Sequence, residues 1–384
     1  MRLVTTGRAI RITRPIVGRV TTTPLADRTN AVLLASVANC SPGDLAGYAA
    51  IMTKDDADKQ TTVLNAVSAP AMHSIRDVDH IRDRDVVALS PTGHVRTVYR
   101  PDSDHNTLFI TERCNSNCLM CSQPPKDHDD TEHFLAINRA VVDLMDLDTK
   151  ALGITGGEPT LLREGLCELL SLLRDRLPAT HLHLLTNGRL FAWPEFASRF
   201  AQIRHPDLVL GIPLYSDTAV GHDYVVQAKN AFDQTVMGLH QLARWGVQVE
   251  IRVVLHRLTI SRLVHLAEYI YRNFPFVVHI ALMGLEPTGY TIHHREKLWI
   301  DPFDYQASLE ETVEFLNVRG LNVSIYNLQR CVLPRSLWPF ARQSISDWKN
   351  IYFDECALCV ERANCAGFFQ SAERLHSSHI QALE

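Results

Sequence analysis

The sequence predicts an α/β fold: a partial (β/α)6, TIM-like barrel, with a small mostly β N-terminal domain before it and a C-terminal extension after it. Three observations carry this. From residue 108 onward, short apolar runs alternate six times with helical patterns, which implies a parallel sheet with crossover helices. Six such units fall short of the eight that close a barrel. The first 105 residues lack this alternation, and seven of the nine cysteines form two groups, one early in the alternating region and one beyond it.

The opening stretch sets Arg2, Arg8, Arg11, Arg14 and Arg19 among apolar residues, with no acid before Asp27. Such alternation suits a half-exposed strand. A transit peptide shares the composition, but no apolar run resembling a signal-peptide core follows, which argues against secretion. Short apolar runs with Pro and Gly turns continue to about residue 100, and 83–93 reads as a hairpin. Pro101-Asp102-Ser103-Asp104 reads as a junction. The expected domains are therefore 1–104, 105–320 and 321–384.

In the barrel the expected strands are 108–111, 151–155, 182–186, 208–215, 247–256 and 277–285. The expected helices are 131–147, 164–177, 194–203, 229–245, 260–273 and 303–318. The fourth helix keeps Phe232, Val236, Leu239, His240 and Ala243 at helical spacing. Beyond Tyr326 the chain reads as irregular and aromatic-rich, as expected of a segment wrapped around a metal centre.

Composition narrows the function classes. The 384 residues carry 38 Lys plus Arg against 43 Asp plus Glu, a net charge of −5. That balance disfavours a chain built to neutralise nucleic acid. Hydrophobic content of 46% and charged content of 21% are ordinary for a globular protein. Apolar stretches such as 208–215 are far shorter than the ~18 residues of a membrane span. The odd cysteine count fits a reducing compartment, and a cytoplasmic location is expected.

The first cysteine group is Cys114-x3-Cys118-x2-Cys121. Chance placement would produce this spacing about 0.005 times per chain. Thiolates this close in a loop can converge on one metal centre. A structural zinc ion wants four protein ligands, and His128 could be the fourth. A four-iron cluster with three protein ligands keeps one iron open for a substrate or cofactor. The second group, Cys331 with Cys356-x2-Cys359-x5-Cys365, can close a site completely, as zinc or as [4Fe–4S]. Cys167 sits on an amphipathic helix as a buried thiol, and Cys40 has no partner.

Functional residues of such barrels gather at the C-terminal ends of strands. After the first expected strand come the clustered cysteines, and after the second Thr155-Gly156-Gly157-Glu158-Pro159. Thr186-Asn187-Gly188, Ser216-Asp217, Arg252 with His256, and Met283-Gly284-Leu285-Glu286-Pro287 follow. Cys114-Asn115-Ser116-Asn117-Cys118-Leu119-Met120-Cys121, followed by Gly-Gly-Glu-Pro on the next strand end, resembles the radical S-adenosylmethionine (SAM) superfamily over about residues 108–290. Met120 stands where the family usually has an aromatic residue that seats the adenine. The resemblance implies that Cys114, Cys118 and Cys121 hold a SAM-binding [4Fe–4S] cluster with one open iron. It also implies that the reduced cluster cleaves SAM to methionine and a 5′-deoxyadenosyl radical. Met120, Gly156, Gly157, Glu158 and Pro159 are then expected at the cofactor, with Glu158 meeting its amino group. Asn187, Ser216 and Arg252 are candidates for its ribose and carboxylate. His256 and Met283 are expected to pack in the core.

Cys356-x2-Cys359-x5-Cys365 resembles the extension of peptide-modifying radical SAM enzymes, the SPASM and twitch types, although Phe369 stands where the full pattern has a further cysteine. The resemblance implies one auxiliary [4Fe–4S] cluster on Cys331, Cys356, Cys359 and Cys365, closed by four thiolates and suited to relaying electrons. Cys331–Pro334, residues 343–350 and 281–289 look like the C-type radical SAM maturases of the His-Xaa-Ser system. That resemblance implies maturation of a ribosomally synthesised precursor peptide, a second radical SAM maturase, a small accessory protein and an external electron donor. Action on RNA or another protein, and a non-catalytic iron–sulfur scaffold, are the competing readings. The N-terminal domain is expected to bind the peptide or a partner. His376-Ser377-Ser378-His379 is read as a solvated tail.

Overall fold

The computed structural model describes residues 3–37, 40–56, 64, 68–343 and 351–384. The segment 344–350, which carries much of the last resemblance, lies outside them. The chain divides into two compact units. The first holds Met1–Phe109, Thr131–Leu152 and Leu172–Thr180; the second holds Ile110–Asp130, Gly153–Ser171 and His181–Glu384.

The first unit carries eight strands: β1 (Val4–Thr6), β2 (Arg8–Ile10), β3 (Ile16–Thr21), β4 (Ala31–Leu34), β5 (Ala50–Met52), β6 (Ala71–His73), β7 (Val86–Leu89) and β8 (His94–Tyr99). Their order is β1-β8-β7-β3-β4-β5-β6-β2. β7 and β8 form the expected hairpin, with Ser90 N–H donating to His94 O at 2.8 Å. The neighbours β3 to β6 are parallel, which a reading of small β structure does not anticipate.

β1 and β2 stand at opposite ends of this order, yet only Gly7 separates them in the chain. A single extended stretch therefore pairs with β8 through one half and with β6 through the other. This stretch thereby links the two ends of the sheet order. Gly7 sits at the seam. Its N–H donates to Gly93 O at 2.9 Å, and a Cβ there would lie 2.7 Å from His73 O. Side chains alternate with period two. Val32, Ala50, Met52, Met72, Val87, Leu89 and Val95 share one core cluster. Ala31, Leu33, Ile51 and Ala71 share another with Leu45 and Tyr48.

The second sheet holds β9 (Asn106–Phe109), β10 (Ala151–Thr155), β11 (His181–Leu185), β12 (Leu208–Pro213), β13 (Gln248–Leu255), β14 (His279–Gly284) and β15 (Val323–Tyr326), in sequence order. Registers from β11 through β15 are parallel. The connecting helices are α1 (Thr131–Leu144), α2 (Glu164–Arg176), α3 (Pro194–Ala201), α4 (Ala219–Val226), α5 (Ala231–Arg244), α6 (Leu263–Asn273) and α7 (Gln306–Asn317). This is the partial barrel that the alternation predicts, with one strand more. β15 is four residues long, too short for its alternation to register.

Two elements show how the sequence builds the wall. α5 buries Ala231, Phe232, Thr235, Leu239 and Leu242 on one stripe and ends before Gly246, whose φ of 69° suits glycine. β13 buries Val249, Ile251, Val253 and Leu255 on one face. Glu250 and Arg252 therefore point to the other face, the inner side of the barrel.

Candidate active site

The loop after β9 presents Cys114, Cys118 and Cys121, and three other elements pin it. From α4, Val226 O and Val225 O accept from Asn117 N–H at 3.0 Å and Leu119 N–H at 2.9 Å. Beyond β11, the Arg189 guanidinium donates to Asn115 O and, at 3.1 Å, to Ser116 Oγ. Beyond β14, Tyr290 N–H donates to Cys121 O at 2.9 Å. Gly289, with φ of 56°, passes so near that a Cβ would collide with Cys121 O. Leu119, Met120, Tyr215, Val225, Val226 and Leu298 pack together beneath the loop, with Cys118 against them.

Burial pushes the Cys114 thiol up to about 12, with Glu158 adding to the shift. The Cys118 thiol is raised further, first by burial and then by Cys114 and Cys121. Thiols that burial keeps protonated become good ligands once a cation compensates their charge. Three soft sulfur donors in one loop fit an iron–sulfur cluster. His128 is not used there: its Nε2 lies 3.5 Å from Glu112. Glu112, His128 and Asp130 bring their donor atoms within 4.8 Å of one another. Asp130, however, is already engaged by Thr111 Oγ1 at 2.5 Å and Glu112 N–H at 2.6 Å.

The strand end after β10 presses on the cysteine loop. Gly157 N–H donates to Thr111 O and Glu158 N–H to Arg113 O, both at 2.7 Å. A Cβ on Gly157 would collide with Arg113 O, and one on Gly156 would lie 2.6 Å from Thr111 O. The two glycines are therefore required by backbone approach to the cysteine loop. Pro159 opens the short 3-10 turn Pro159–Leu162, which Glu158 caps.

Glu158 is 1% exposed. Its Oε1 accepts from Thr160 N–H at 3.0 Å, Thr160 Oγ1 at 2.5 Å and Thr186 Oγ1 at 2.6 Å. Its Oε2 accepts from Asn187 N–H at 2.6 Å. Burial raises this carboxyl against the lowering effect of those donors. The carboxylate thus bolts two strand ends together, and only Oε2 keeps acceptor capacity for an ammonium group. Asn187 is similarly occupied, with Nδ2 donating to Asn115 Oδ1 at 2.6 Å. Ser216 is buried at the mouth of β12, within hydrogen-bond reach of Thr218 Oγ1 at 3.1 Å.

Arg252 faces inward, but its charge is shared. Nη1 meets Glu250 Oε1 at 2.9 Å and Nη2 meets Met283 Sδ at 3.0 Å. Met283 thus touches a charged group rather than only filling the core. Glu250 also faces His279 Nδ1 at 2.7 Å and His183 Nε2 at 3.4 Å. Burial opposes its ionisation, yet His183, His279 and Arg252 outweigh burial and hold the carboxyl well below its ordinary range. The bare Gly211 on β12 makes room for this reach. A Cβ there would sit 2.9 Å from Arg252 Cδ and 3.0 Å from His183 Nε2. His256 instead turns into the wall, fully buried, where it caps the helix start at Thr259.

Sequence reasoning missed Asn115, Arg189, Glu250, His183 and His279. Period two places His183 and Glu250 on inward faces, but nothing local shows that they meet across a glycine.

In the second cysteine group, Cys331 lies in the turn Arg330–Val332, Cys356 in Asp354–Cys356, and Cys365 follows Arg362–Asn364. Cys359 N–H donates to Cys356 O at 3.3 Å. The sulfurs act on one another: Cys365 and Cys356 raise the Cys331 thiol, and Cys365 and Cys359 raise Cys356, in both cases after burial. Phe353 and Phe368, with centroids 4.3 Å apart, cover the group. Cys356 thus lies within electrostatic reach of the other three thiols, and four thiols are a donor set that suits a closed metal centre. The solvated tail is corrected. Ser377 is buried and donates to Asp301 at 2.5 Å, and His379 stacks on Phe303 at 3.9 Å. An aspartate and an aromatic ring on the turn before α7 supply the partners.

Residues 108–270 match the family model of the Radical SAM superfamily. Within these residues the parallel sheet, with its cysteine loop and Gly-Gly-Glu-Pro turn on neighbouring strand ends, has the α/β arrangement of the family that this model describes. The GTP 3′,8-cyclase of Sulfurovum sp. (strain NBC37-1) is 29% identical over 166 residues, 42% of this chain and 48% of that one. The Fe-coproporphyrin III synthase of Methanosarcina barkeri (strain Fusaro / DSM 804) is 27% identical over 150 residues, 38% and 36% of the two chains. The chain spans about half the length of the cyclases it matches. Streptococcus suis SuiB bound to S-adenosylmethionine has a TM-score of 0.47 at 16% identity, over 65% of this chain and 55% of that one.

Proposed function

We propose that this chain is a radical SAM peptide maturase of the His-Xaa-Ser type, acting on a ribosomally synthesised precursor peptide by hydrogen abstraction. The observation that carries it is the pairing of a three-thiol loop on the barrel mouth with a separate four-thiol group. Cys114, Cys118 and Cys121 would hold the first [4Fe–4S] cluster and leave one iron for SAM. Cys331, Cys356, Cys359 and Cys365 would hold an auxiliary [4Fe–4S] cluster. When bound and reduced, the first cluster with SAM supplies the 5′-deoxyadenosyl radical. The chain's own residues orient and exclude. Leu119, Met120, Tyr215 and Leu298 keep water from the cysteine loop. Glu158 and Asn187 fix the strand ends, and the Glu250–Arg252 pair lines the inner wall where substrate would enter.

A second radical SAM maturase, a small accessory protein and an external electron donor would complete the system, in the cytoplasm. Among the described residues no helix is long and apolar enough to cross a membrane. The N-terminal domain would bind the peptide or dock a partner. The names of the curated relatives make a nucleotide such as GTP the competing substrate.

The test is anaerobic reconstitution with iron and sulfide, followed by dithionite, SAM and either candidate peptide or GTP. Wild type should release 5′-deoxyadenosine and change the mass of the peptide, while Cys114→Ala/Cys118→Ala/Cys121→Ala releases none. Peptide left intact while GTP is consumed would replace the peptide reading. Clusters without any SAM cleavage, even with partners present, would leave only a scaffold.

A further inference from the structure

The segment beyond β14 that grips the cysteine loop also borders a cationic groove. Tyr290 N–H donates to Cys121 O at 2.9 Å, and Thr291 Oγ1 donates to Met120 O at 3.4 Å. Leu298 packs with Leu119 and Met120 of the same loop. Between these anchors His293, His294, Arg295, Glu296 and Lys297 line a cavity of about 290 Å³, and Arg374 of the C-terminal extension lines it too. Two bonds tie the extension to this end of the barrel. Ser371 Oγ donates to Glu286 Oε1 at 3.4 Å, and Ser377 Oγ donates to Asp301 Oδ1 at 2.5 Å.

The charges of the groove do not balance. Arg295, Lys297 and Arg374 are exposed. Among the described residues, none of the three has an ion-pair partner or a side-chain hydrogen bond. Exposed arginines elsewhere in the second unit are taken up by acids, Arg262 by Asp217 and Arg199 by Glu164. Among the described residues lining the groove, Glu296 is the one acid. The whole chain carries a net charge of −5, so composition does not account for this local excess of cations. Ile292, 48% exposed, and Leu375 add apolar surface.

We propose that this groove binds an acidic segment of the substrate peptide, with its Asp or Glu carboxylates on Arg295, Lys297 and Arg374 and an apolar side chain against Ile292. The inference rests on the peptide reading given above and names the chemistry by which that peptide is held. Exposed cations from two chain segments, with apolar side chains beside them, suit a chain that carries charges and apolar groups at intervals. A compact phosphate is better met by converging backbone N–H groups, whereas the donors here are side chains. Docking of the acidic segment keeps the rest of the peptide beside the cysteine loop at a raised effective concentration. The three cations therefore act on KM and not on the chemical step.

The test uses the full reconstituted chain and a fluorescein-labelled peptide of alternating Glu and Ala that carries one Leu, with binding read by fluorescence anisotropy. Wild type should bind it, and binding should weaken as salt is raised from about 50 to about 300 mM. The same peptide with Gln for Glu should bind far more weakly. Exposed ion pairs are individually weak, so Arg295→Gln/Lys297→Gln/Arg374→Gln should lose about tenfold in affinity at unchanged iron content. Arg262→Gln, which removes a cation already held by an acid, should bind as wild type does. No binding by wild type, equal affinity for the Glu and Gln peptides, wild-type affinity in the triple variant, an equal loss in Arg262→Gln, or displacement of the peptide by equimolar GTP would each overturn the groove. The peptide reading fails separately. An acidic peptide bound as expected, with no candidate peptide changed in mass, would keep the groove and remove the maturase. A candidate peptide modified with unchanged KM in the triple variant would keep the maturase and remove the groove.

Discussion

Glu158 shows how one buried carboxylate can decide the geometry of a mouth. Four donors from three residues converge on it: two from Thr160, one from Thr186 and one from Asn187. Glu158→Gln keeps the volume but replaces one acceptor oxygen by a donor NH2. Whichever way the amide turns, an N–H then faces an N–H or a hydroxyl that must reverse. The expected cost is about 1–3 kcal/mol, read as a lower urea midpoint. Gly157→Ala should be worse for function than for folding, because its Cβ meets the Arg113 carbonyl in the cysteine loop. Iron incorporation at the first site should fall while the second site stays loaded. Asp85→Ala tests the first unit in the same way. Arg100, 7% exposed, holds Asp85, 0% exposed, through Nε at 3.0 Å and Nη2 at 2.8 Å. Removing the carboxylate strands a buried guanidinium, at about 3–5 kcal/mol.

The strands and helices of the barrel were legible because each is long enough to show its period. β13 and α5 fall within a few residues of the expected spans, since alternation and a 3.6-residue stripe are local properties. β15 and the 3-10 turns around the second cysteine group were not legible. Their shape comes from what they pack against. The same limit hid the Glu250 cluster, whose members come from three strands and meet across Gly211. Two buried histidines on these elements make the barrel sensitive to acid. His222 Nδ1 accepts from Tyr215 N–H at 3.3 Å and His256 Nδ1 from Thr259 N–H at 3.2 Å. Burial lowers both to about 4. A proton taken up on unfolding favours the unfolded chain. Stability should therefore fall as pH drops from about 6.5 towards 4, by up to about 1.4 kcal/mol per histidine per pH unit. His222→Gln/His256→Asn should flatten the urea midpoint between pH 7 and 5. An equally steep loss in the double variant would assign the acid sensitivity elsewhere.

The two cysteine groups were the most visible feature of the sequence, and both lie in the second unit. What spacing alone left open was the metal, because zinc and iron–sulfur share thiolate ligands. The strand order of the first unit was invisible for a different reason: β1 and β2 look like one basic strand, and only the pairing partners show that it links two ends of a sheet. A metal count on the whole chain joins these observations. Two independent four-iron sites predict about eight irons per chain after reconstitution. Cys114→Ala/Cys118→Ala/Cys121→Ala should hold about four, and so should Cys331→Ala/Cys356→Ala/Cys359→Ala/Cys365→Ala. The two halves differ in how they should respond to SAM. On the proposed assignment, an open iron at the first site would let added SAM perturb the EPR signal of the second variant, whereas the first variant, with its remaining site closed by four thiols, should show no change. A SAM-dependent signal in the first variant would mean that the four-thiol site also opens to ligand, and the electron-relay role would give way to direct substrate binding.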